Sequence, residues 1–179
     1  GRVWRGWYRP RSVRDGTTRG EPAPDCAALS EAVLENGRTR ARPKENKVAV
    51  ADIKAGMTGT GSVTVAEKHY ASGVFAGAPD VYATPSLAAL IEATAAGFME
   101  PHLDDGQMSV GTQLVINHTG ATPPGVEVTV EVKVEAVGRR HVDFSWTAKD
   151  AFDDIGNGTH QRFALDKDRF EAGLASKQG

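Results

Sequence analysis

The stretch TPSLAALIEATAAGF, residues 84–98, predicts the central element of the fold. Thr84 and Pro85 suit the start of a helix, because a threonine side chain can cap free backbone amides and proline fits the first helical turn. Residues of one face then recur at steps of three and four: Leu87, Leu90, Ile91, Thr94 and Phe98. This spacing is typical of a helix with one wide apolar face, so we expect the helix to pack against a sheet.

Alternating residues on both sides of this helix predict strands. Upstream, residues 62–66 (SVTVA) alternate like a half-buried strand. Downstream, every segment after Gly106 indicates a strand or a turn. The first of these strands is expected to place six residues on one face: Met108, Val110, Thr112, Leu114, Ile116 and His118.

Three more strands follow along the chain. Residues 126–135 alternate valine with polar residues, the clearest two-residue period in the sequence. Residues 142–148 indicate the next strand, and residues 153–158 indicate a turn into a last strand that carries Phe163 and Leu165. One strand, one long helix and four antiparallel strands predict an α+β fold, the hot-dog fold, in which an antiparallel sheet wraps around one central helix.

Composition divides the chain into three parts. The first 46 residues hold ten Lys/Arg and six Asp/Glu, are rich in Arg, Gly and Pro, and follow no regular period. We therefore interpret residues 1–46 as a disordered basic extension, residues 47–170 as one globular domain and residues 171–179 as a tail. Trp4, Trp7 and Tyr8 lie between arginines, which is a weak signal for nucleic-acid binding in so short a tract.

Several other functional classes lack support in the sequence. The net charge of −2 requires no polyanionic partner, and no apolar run approaches the roughly 20 residues of a membrane helix. We expect no secretory signal, because the N-terminal arginines are not followed by an apolar segment, and the one cysteine, Cys26, has no metal-site spacing around it. We expect a cytoplasmic protein with no metal or redox cofactor.

The segment from about Gly77 to Leu165 resembles the fluoroacetyl-CoA thioesterase family of hot-dog proteins. Three stretches carry the resemblance: PDVYATPSLAALIEATA, GQMSVGTQLVINHTGATPPGVEVTVEVKVEAVGRR and DDIGNGTHQRFAL. The motifs SVGT, HTGATPPG and GNGTHQR occur in the order and spacing of that family. A weaker match extends upstream through GMTGTGSVTVAEKHYA.

The resemblance implies which residues act on the substrate. The family's catalytic threonine, glutamate and histidine fall on Thr84, Glu92 and His118. Its substrate-contacting glycine and arginine fall on Gly111 and Arg162. An aromatic residue that helps the family's fluoroacetyl enzyme select its substrate aligns with another residue here, Ala78. The smaller side chain implies more room, and so a different or larger acyl group than fluoroacetyl.

The chemistry of these residues leaves two arrangements open. On a regular helix Thr84 and Glu92 are separated by about 12 Å of rise, so they cannot bond to each other. His118 can lie between them, accepting a proton from Thr84 while Glu92 fixes the imidazole tautomer. Alternatively, Glu92 activates water or attacks the carbonyl, with His118 as proton donor. The amide of Gly111 is a candidate oxyanion donor.

Each of these residues also has a purely structural interpretation. Thr84 can serve as a helix cap, Glu92 as a solvated helical carboxylate and His118 as a hydrogen-bonded histidine of the core or edge. Gly111 can mark a strand bulge, and Arg162 can have a surface role or form an ion pair.

The resulting functional prediction is an acyl-CoA thioesterase that acts as a homodimer and releases CoA. Pairing two free sheet edges across a two-fold axis would cover them, which is the reason for expecting a dimer. Two alternatives stay open: a module that binds acyl-CoA without turning it over, and a hydratase acting on enoyl-CoA.

Overall fold

The computed structural model describes residue 50 and residues 52–177. The predictions made for residues 1–46 lie outside this part of the chain. It contains five strands and two α-helices, which we number in chain order. Their bounds are β1 Thr58–Thr64, α1 Thr84–Met99, β2 Gln107–His118, β3 Glu127–Val137, β4 His141–Lys149, β5 Asp154–Asp166 and α2 Lys167–Ala175.

The five strands form one antiparallel sheet in the order β1-β3-β4-β5-β2, so β1 and β2 are its edges. Helix α1 contacts β1, β2, β3 and β5, and the sheet therefore curls around it. The predicted α+β hot-dog fold is confirmed. None of the helices in the described residues combines the length and the hydropathy that crossing a bilayer requires.

The apolar core lies between α1 and the concave face of the sheet. The predicted alternation in β3 and β4 is confirmed, because the inward residues of both strands are almost fully buried: Val128, Val130, Val132, Val134, Val142, Phe144, Trp146 and Ala148. Helix α1 contributes Leu87 and Ile91, which are fully buried, while the predicted Leu90 and Phe98 are partly buried against the same core.

Strand β1 begins four residues before the strand predicted at residues 62–66. Its first half is TGTG, which has no apolar alternation, and the glycines have a packing role instead. A Cβ atom added at Gly59 would lie 3.0 Å from Cδ2 of Phe98 on α1. The missing side chain therefore allows the helix to approach the edge strand closely.

The start of α1 differs from the prediction in one respect. Thr84 is the first helical residue and not the cap, because Ala83 occupies the N-cap position and makes no side-chain capping bond. Pro85 does lie in the first turn, where its missing N–H costs no helical hydrogen bond. The hydroxyl of Thr84 is thereby available for a different partner.

Strand β2 does not keep one face along its length, contrary to the prediction. Gly111 pairs with Arg162 and Gln113 pairs with Gln161, which leaves Thr112 as an extra, unpaired residue. This β-bulge reverses the alternation, so that Leu114, Ile116 and His118 share the inner face with Ser109 and Gly111. Met108 and Val110 lie on the outer face.

Strand β5 was also predicted with the wrong start. It begins at Asp154, so most of residues 153–158 belongs to the strand and not to a turn. Asp150 accepts hydrogen bonds from the amides of Phe152 and Asp153, which places the turn earlier. Phe163 and Leu165 are half-buried, whereas the fully buried face carries His160, Arg162 and Ala164.

Helix α2 was not anticipated by the sequence analysis. It follows β5 directly, and the Asp166 side chain caps it by accepting a hydrogen bond from the Arg169 amide. The helix crosses residue 170, where the domain was predicted to give way to a tail.

Candidate active site

Thr84 and His118 meet at one end of the inner sheet face. Thr84 is placed by the first turn of α1, and His118 by the last residue of β2. Thr84 Oγ1 lies 2.9 Å from His118 Nδ1, which is hydrogen-bonding distance. A hydroxyl bonded to an imidazole is the arrangement in which the imidazole can remove the hydroxyl proton.

The surroundings of His118 favour its neutral form. Burial lowers the pKa of His118 below its usual value, and the backbone of Gly120 opposes this effect more weakly. The buried ring of Tyr82 stands edge-on to the imidazole at 6.5 Å. Its own hydroxyl donates to the Ser86 carbonyl, and burial raises the pKa of Tyr82 to about 12. Tyr82 therefore remains neutral beside His118.

One atom of His118 has no partner among the described residues. Nε2 is buried and makes no hydrogen bond there, whereas Nδ1 faces Thr84. If Nδ1 accepts the Thr84 proton, Nε2 must carry the ring hydrogen.

A second cluster forms around Glu92, two turns farther along α1. Glu92 Oε2 accepts a hydrogen bond from Arg162 Nη1 at 2.8 Å, and the guanidinium is almost completely buried. Arg162 Nε also donates to Ser109 Oγ at 3.1 Å, and Nη2 donates to the Ser109 carbonyl at 2.9 Å. Arg162 therefore forms an ion pair with Glu92 in which the guanidinium is buried and the Glu92 side chain is 45% exposed.

The Glu92 carboxylate lies directly against Gly111. A Cβ atom added at Gly111 would be 2.6 Å from Oε1 and 2.8 Å from Oε2 of Glu92. Only a residue without a side chain leaves room for the carboxylate in this position. Oε2 is bonded to Arg162, and Oε1 is the oxygen closest to the position of that added atom.

The five residues that the sequence singled out thus form two groups on the inner face. Thr84 and His118 form one group, and Glu92, Gly111 and Arg162 form the other. The hydrogen bonds among residues 52–177 include none between Glu92 and His118, so Glu92 does not fix the tautomer of His118 within this chain. No group of three or more metal-binding side chains occurs in the described residues.

Two further residues, Ser109 and His160, contact Arg162 of the second group and were given no role from the sequence. Ser109 was expected on the other face of β2, and the bulge at Thr112 turns it inward. The bulge directly follows Gly111, for which a strand bulge was the alternative interpretation of the sequence. His160 was noticed on the same face as Arg162 but was given no role. Its alternation with Arg162 in the motif THQR was the available signal.

An open cleft of about 440 Å³ adjoins the Thr84–His118 pair. Its walls are largely apolar and include Val74 and Phe75 from the loop that precedes α1. Both of these side chains are more than half exposed. Ala78, which aligns with the selective aromatic residue of the family, is not among the lining residues, although its amide donates to the Phe75 carbonyl at 3.4 Å.

Comparison with known proteins gives a consistent set of similarities. A model of the fluoroacetyl-CoA-specific thioesterase family matches residues 65–168. The fluoroacetyl-CoA thioesterase of Streptantibioticus cattleyicolor is 37% identical over 114 residues, which are 64% of this chain and 82% of that protein.

Solved structures agree with the sequence comparison. The fluoroacetyl-CoA thioesterase FlK superposes with a TM-score of 0.68 at 32% identity, covering 70% of this chain and 97% of that chain. A hot-dog-like protein from Thermanaerovibrio acidaminovorans has a TM-score of 0.66 at 19% identity, covering 70% of this chain and 93% of that chain. The second likeness concerns the fold alone.

Proposed function

Because the chain belongs to the fluoroacetyl-CoA-specific thioesterase family, we propose that it hydrolyses small to medium acyl-CoA thioesters through Thr84, Glu92 and His118. Membership makes it an acyl-CoA thioesterase, a thioester hydrolase. What we propose beyond this activity is which residues carry out the hydrolysis and which acyl groups are accepted. The observation that carries it is the hydrogen bond of 2.9 Å between Thr84 and His118.

In the proposed reaction His118 is the base and Thr84 the group that it activates. A hydroxyl is a weak nucleophile until a neighbouring base takes its proton, and a histidine held neutral by burial can do so. Attack on the thioester carbonyl forms a C–O bond, and collapse of the intermediate breaks the C–S bond and releases CoA. Water then hydrolyses the acyl-threonine to the free acid.

Glu92 supports a second route, which the same experiment distinguishes. Its Oε1 is not bonded to Arg162 and lies beside Gly111, where a water molecule can be activated without any covalent intermediate. The route through Thr84 predicts a burst of thiol release before the steady state when hydrolysis of the acyl-enzyme is slower than its formation. The route through Glu92 and water predicts no burst.

The cleft supports an acyl group that is not restricted to fluoroacetyl. It is largely apolar, and at about 440 Å³ it has room for more than a two-carbon group. The aligned aromatic residue is absent at Ala78, and the aromatic side chain nearest in sequence that lines the cleft is Phe75. We therefore propose that fluoroacetyl-CoA is not the selected substrate.

A homodimer remains part of the proposal. Strand β2 is a sheet edge, carries both Gly111 and His118, and exposes nearly half of Val115. Pairing this edge with a second copy would cover the unpaired backbone groups of β2 and place the two residue groups next to the subunit interface.

The test is free-thiol release from acetyl-, haloacetyl-, branched and longer acyl-CoAs. His118→Ala and Glu92→Ala should each lose most of the hydrolysis while keeping the wild-type circular dichroism spectrum and oligomeric state. His141→Ala is the matched control, because this histidine on β4 has a side chain 42% exposed, pairs with Asp143 and belongs to neither group of the proposed site.

Wild-type rates in either site variant would refute the residue assignment. If a folded wild-type protein binds acyl-CoA but releases no thiol from any of them, the chain is an acyl-CoA-binding module. Release of a hydrated product without free thiol from crotonyl-CoA would indicate a hydratase.

A further inference from the structure

His160 is a buried polar residue to which neither the reaction nor the family comparison assigns a role. It lies on the inner face of β5, is 2% exposed, and stacks on Phe144 with ring centroids 6.5 Å apart. A buried imidazole requires partners for both of its nitrogens. Both partners are present, and they connect His160 to the Glu92 group.

The first partner fixes the tautomer of His160. Nδ1 lies 2.7 Å from the backbone carbonyl of Gln113. A carbonyl oxygen can only accept, so Nδ1 carries the ring hydrogen. Gln113 directly follows the bulged residue Thr112, and the hydroxyl of Thr112 in turn donates to the Gln161 carbonyl at 3.2 Å. The imidazole is therefore fixed to the irregular part of β2.

The second partner is Arg162. With Nδ1 protonated, Nε2 of a neutral imidazole is an acceptor, and Arg162 Nη1 lies 3.4 Å from it. The same Nη1 donates to Glu92 Oε2 at 2.8 Å. His160 and Glu92 thus contact the same guanidinium nitrogen, Nη1, which also donates to the Glu92 carbonyl at 3.3 Å. Ser109 accepts from the other two nitrogens, Nε and Nη2.

We propose that His160, together with Ser109, positions the Arg162 guanidinium and through it the Glu92 carboxylate. His160 is a positioning residue, because it reaches Glu92 only through Arg162. The proposal rests on the proposed role of Glu92 in hydrolysis. The two buried residues of the THQR motif, His160 and Arg162, would then act together on Glu92 in addition to packing in the core.

The charge state of His160 agrees with this role. Burial lowers the pKa of His160, and the Arg162 charge lowers it further, while the Gln113 carbonyl and the Glu92 charge oppose the shift. A protonated ring would direct an N–H at Nη1, so that two donors and two positive charges would face each other. The neutral ring is the only form that can accept from Arg162.

Two substitutions at His160 separate positioning from packing. Glutamine can place its amide oxygen near the former Nε2 and still accept from Arg162. Asparagine is shorter, so it can donate to Gln113 but leaves Arg162 without that acceptor. We expect His160→Asn to lower kcat by about 10- to 100-fold with KM changed less than about threefold, because displacing a reacting group by about 1 Å costs on that order. His160→Gln should keep kcat within about threefold.

A purely structural role predicts a different pattern. Both variants would then lose thermal stability according to the volume removed, and their kcat values would not separate once folded protein is compared. Equal kcat values in folded His160→Asn and folded wild type would overturn the proposal. So would equal losses of kcat in the asparagine and glutamine variants.

Ser109→Ala keeps the proposal testable if His160→Asn does not fold. It removes the acceptor of Arg162 Nε and leaves the packing of His160 against Phe144 intact. We expect a several-fold loss of kcat at unchanged KM, and a wild-type kcat would count against the proposal.

Glu92→Ala separates the positioning role from the proposed function. Full activity in Glu92→Ala refutes the proposed function. If Glu92→Ala is inactive but His160→Asn is fully active, only the positioning role is refuted.

Discussion

The contact between Gly111 and Glu92 gives the sharpest prediction, which concerns Gly111→Ala. The added Cβ atom would lie 2.6 Å, 2.8 Å and 2.9 Å from Oε1, Oε2 and Cδ of Glu92. Carbon and oxygen atoms reach ordinary contact only at about 3.5 Å, so the carboxylate must retreat by about 1 Å. All three atoms belong to the end of a flexible side chain, which can move while the backbone stays in place.

The expected effect is therefore on the reaction, with the fold retained. A displacement of about 1 Å at a reacting group costs up to about 100-fold, so we expect kcat/KM to fall by about 10- to 100-fold. The free energy of unfolding should fall by about 1 to 3 kcal/mol, because φ of Gly111 is not in the left-handed region and the cost is that of weakening the bond between Glu92 and the buried Arg162. Free-thiol release measures the first quantity and urea titration the second.

Gly59→Ala is the matched control. Gly59 is also an edge-strand glycine packed against α1, but its added Cβ atom would meet Phe98 and no residue of the proposed site. Its kcat/KM should stay within about twofold of wild type, since no reacting group moves. If Gly111→Ala is folded and hydrolyses acyl-CoA at the wild-type rate, the position of Glu92 against Gly111 is not needed for the reaction.

Two further predictions concern pH and acyl selectivity. If His118 is the base, kcat/KM should decrease as the pH is lowered, with the midpoint of the decrease below pH 6.5. The reason is that burial lowers the pKa of His118, so its neutral form persists to lower pH. A midpoint above pH 6.5 in the profile of kcat/KM against pH would contradict this. Phe75→Ala should raise the preference for longer over two-carbon acyl-CoAs by about tenfold, because the side chain lines the cleft. Phe152→Ala, an exposed phenylalanine in the β4–β5 turn, is its control, and an unchanged ratio of kcat/KM values in the Phe75 variant would exclude Phe75 from substrate selection.

The general fold was accessible from the sequence because its signals are local. The helix at Thr84 and the valine alternation in β3 follow from periods of 3.6 and 2 that neighbouring residues define. The partners of the candidate residues were not accessible in the same way. Arg162 and Glu92 are 70 residues apart, and their ion pair depends on how β5 packs against α1. A period-two pattern shows that Arg162 alternates with Phe163, but not that the arginine is the buried one.

The Thr84 hydroxyl shows the same limit at shorter range. A threonine before a proline at a helix start predicts that the threonine caps the helix. The helix does begin at this point of the sequence. The structure instead has the cap position at Ala83, and the hydroxyl bonds to a histidine 34 residues away. The resemblance to a known family identified the pair because it carries information about distant contacts, which helix propensity does not.

The bulge at Thr112 explains why the second residue group exists. Without the extra residue, the alternation that places Leu114 inward would also place Val110 and Met108 against α1, as the period-two pattern predicted. One inserted residue instead turns Gly111 and Ser109 inward. The glycine leaves space for the Glu92 carboxylate, and Ser109 binds Arg162 through both its hydroxyl and its carbonyl.

An apolar face in this half of β2 would thus bury methionine and valine beside Glu92, and the buried guanidinium would lose the partners that compensate its desolvation. Because a buried charge is costly unless it is paired and hydrogen-bonded, the bulge and Arg162 depend on each other. The bulge places the acceptors that make the buried arginine tolerable, and the arginine holds the carboxylate in the space that the bulge has opened.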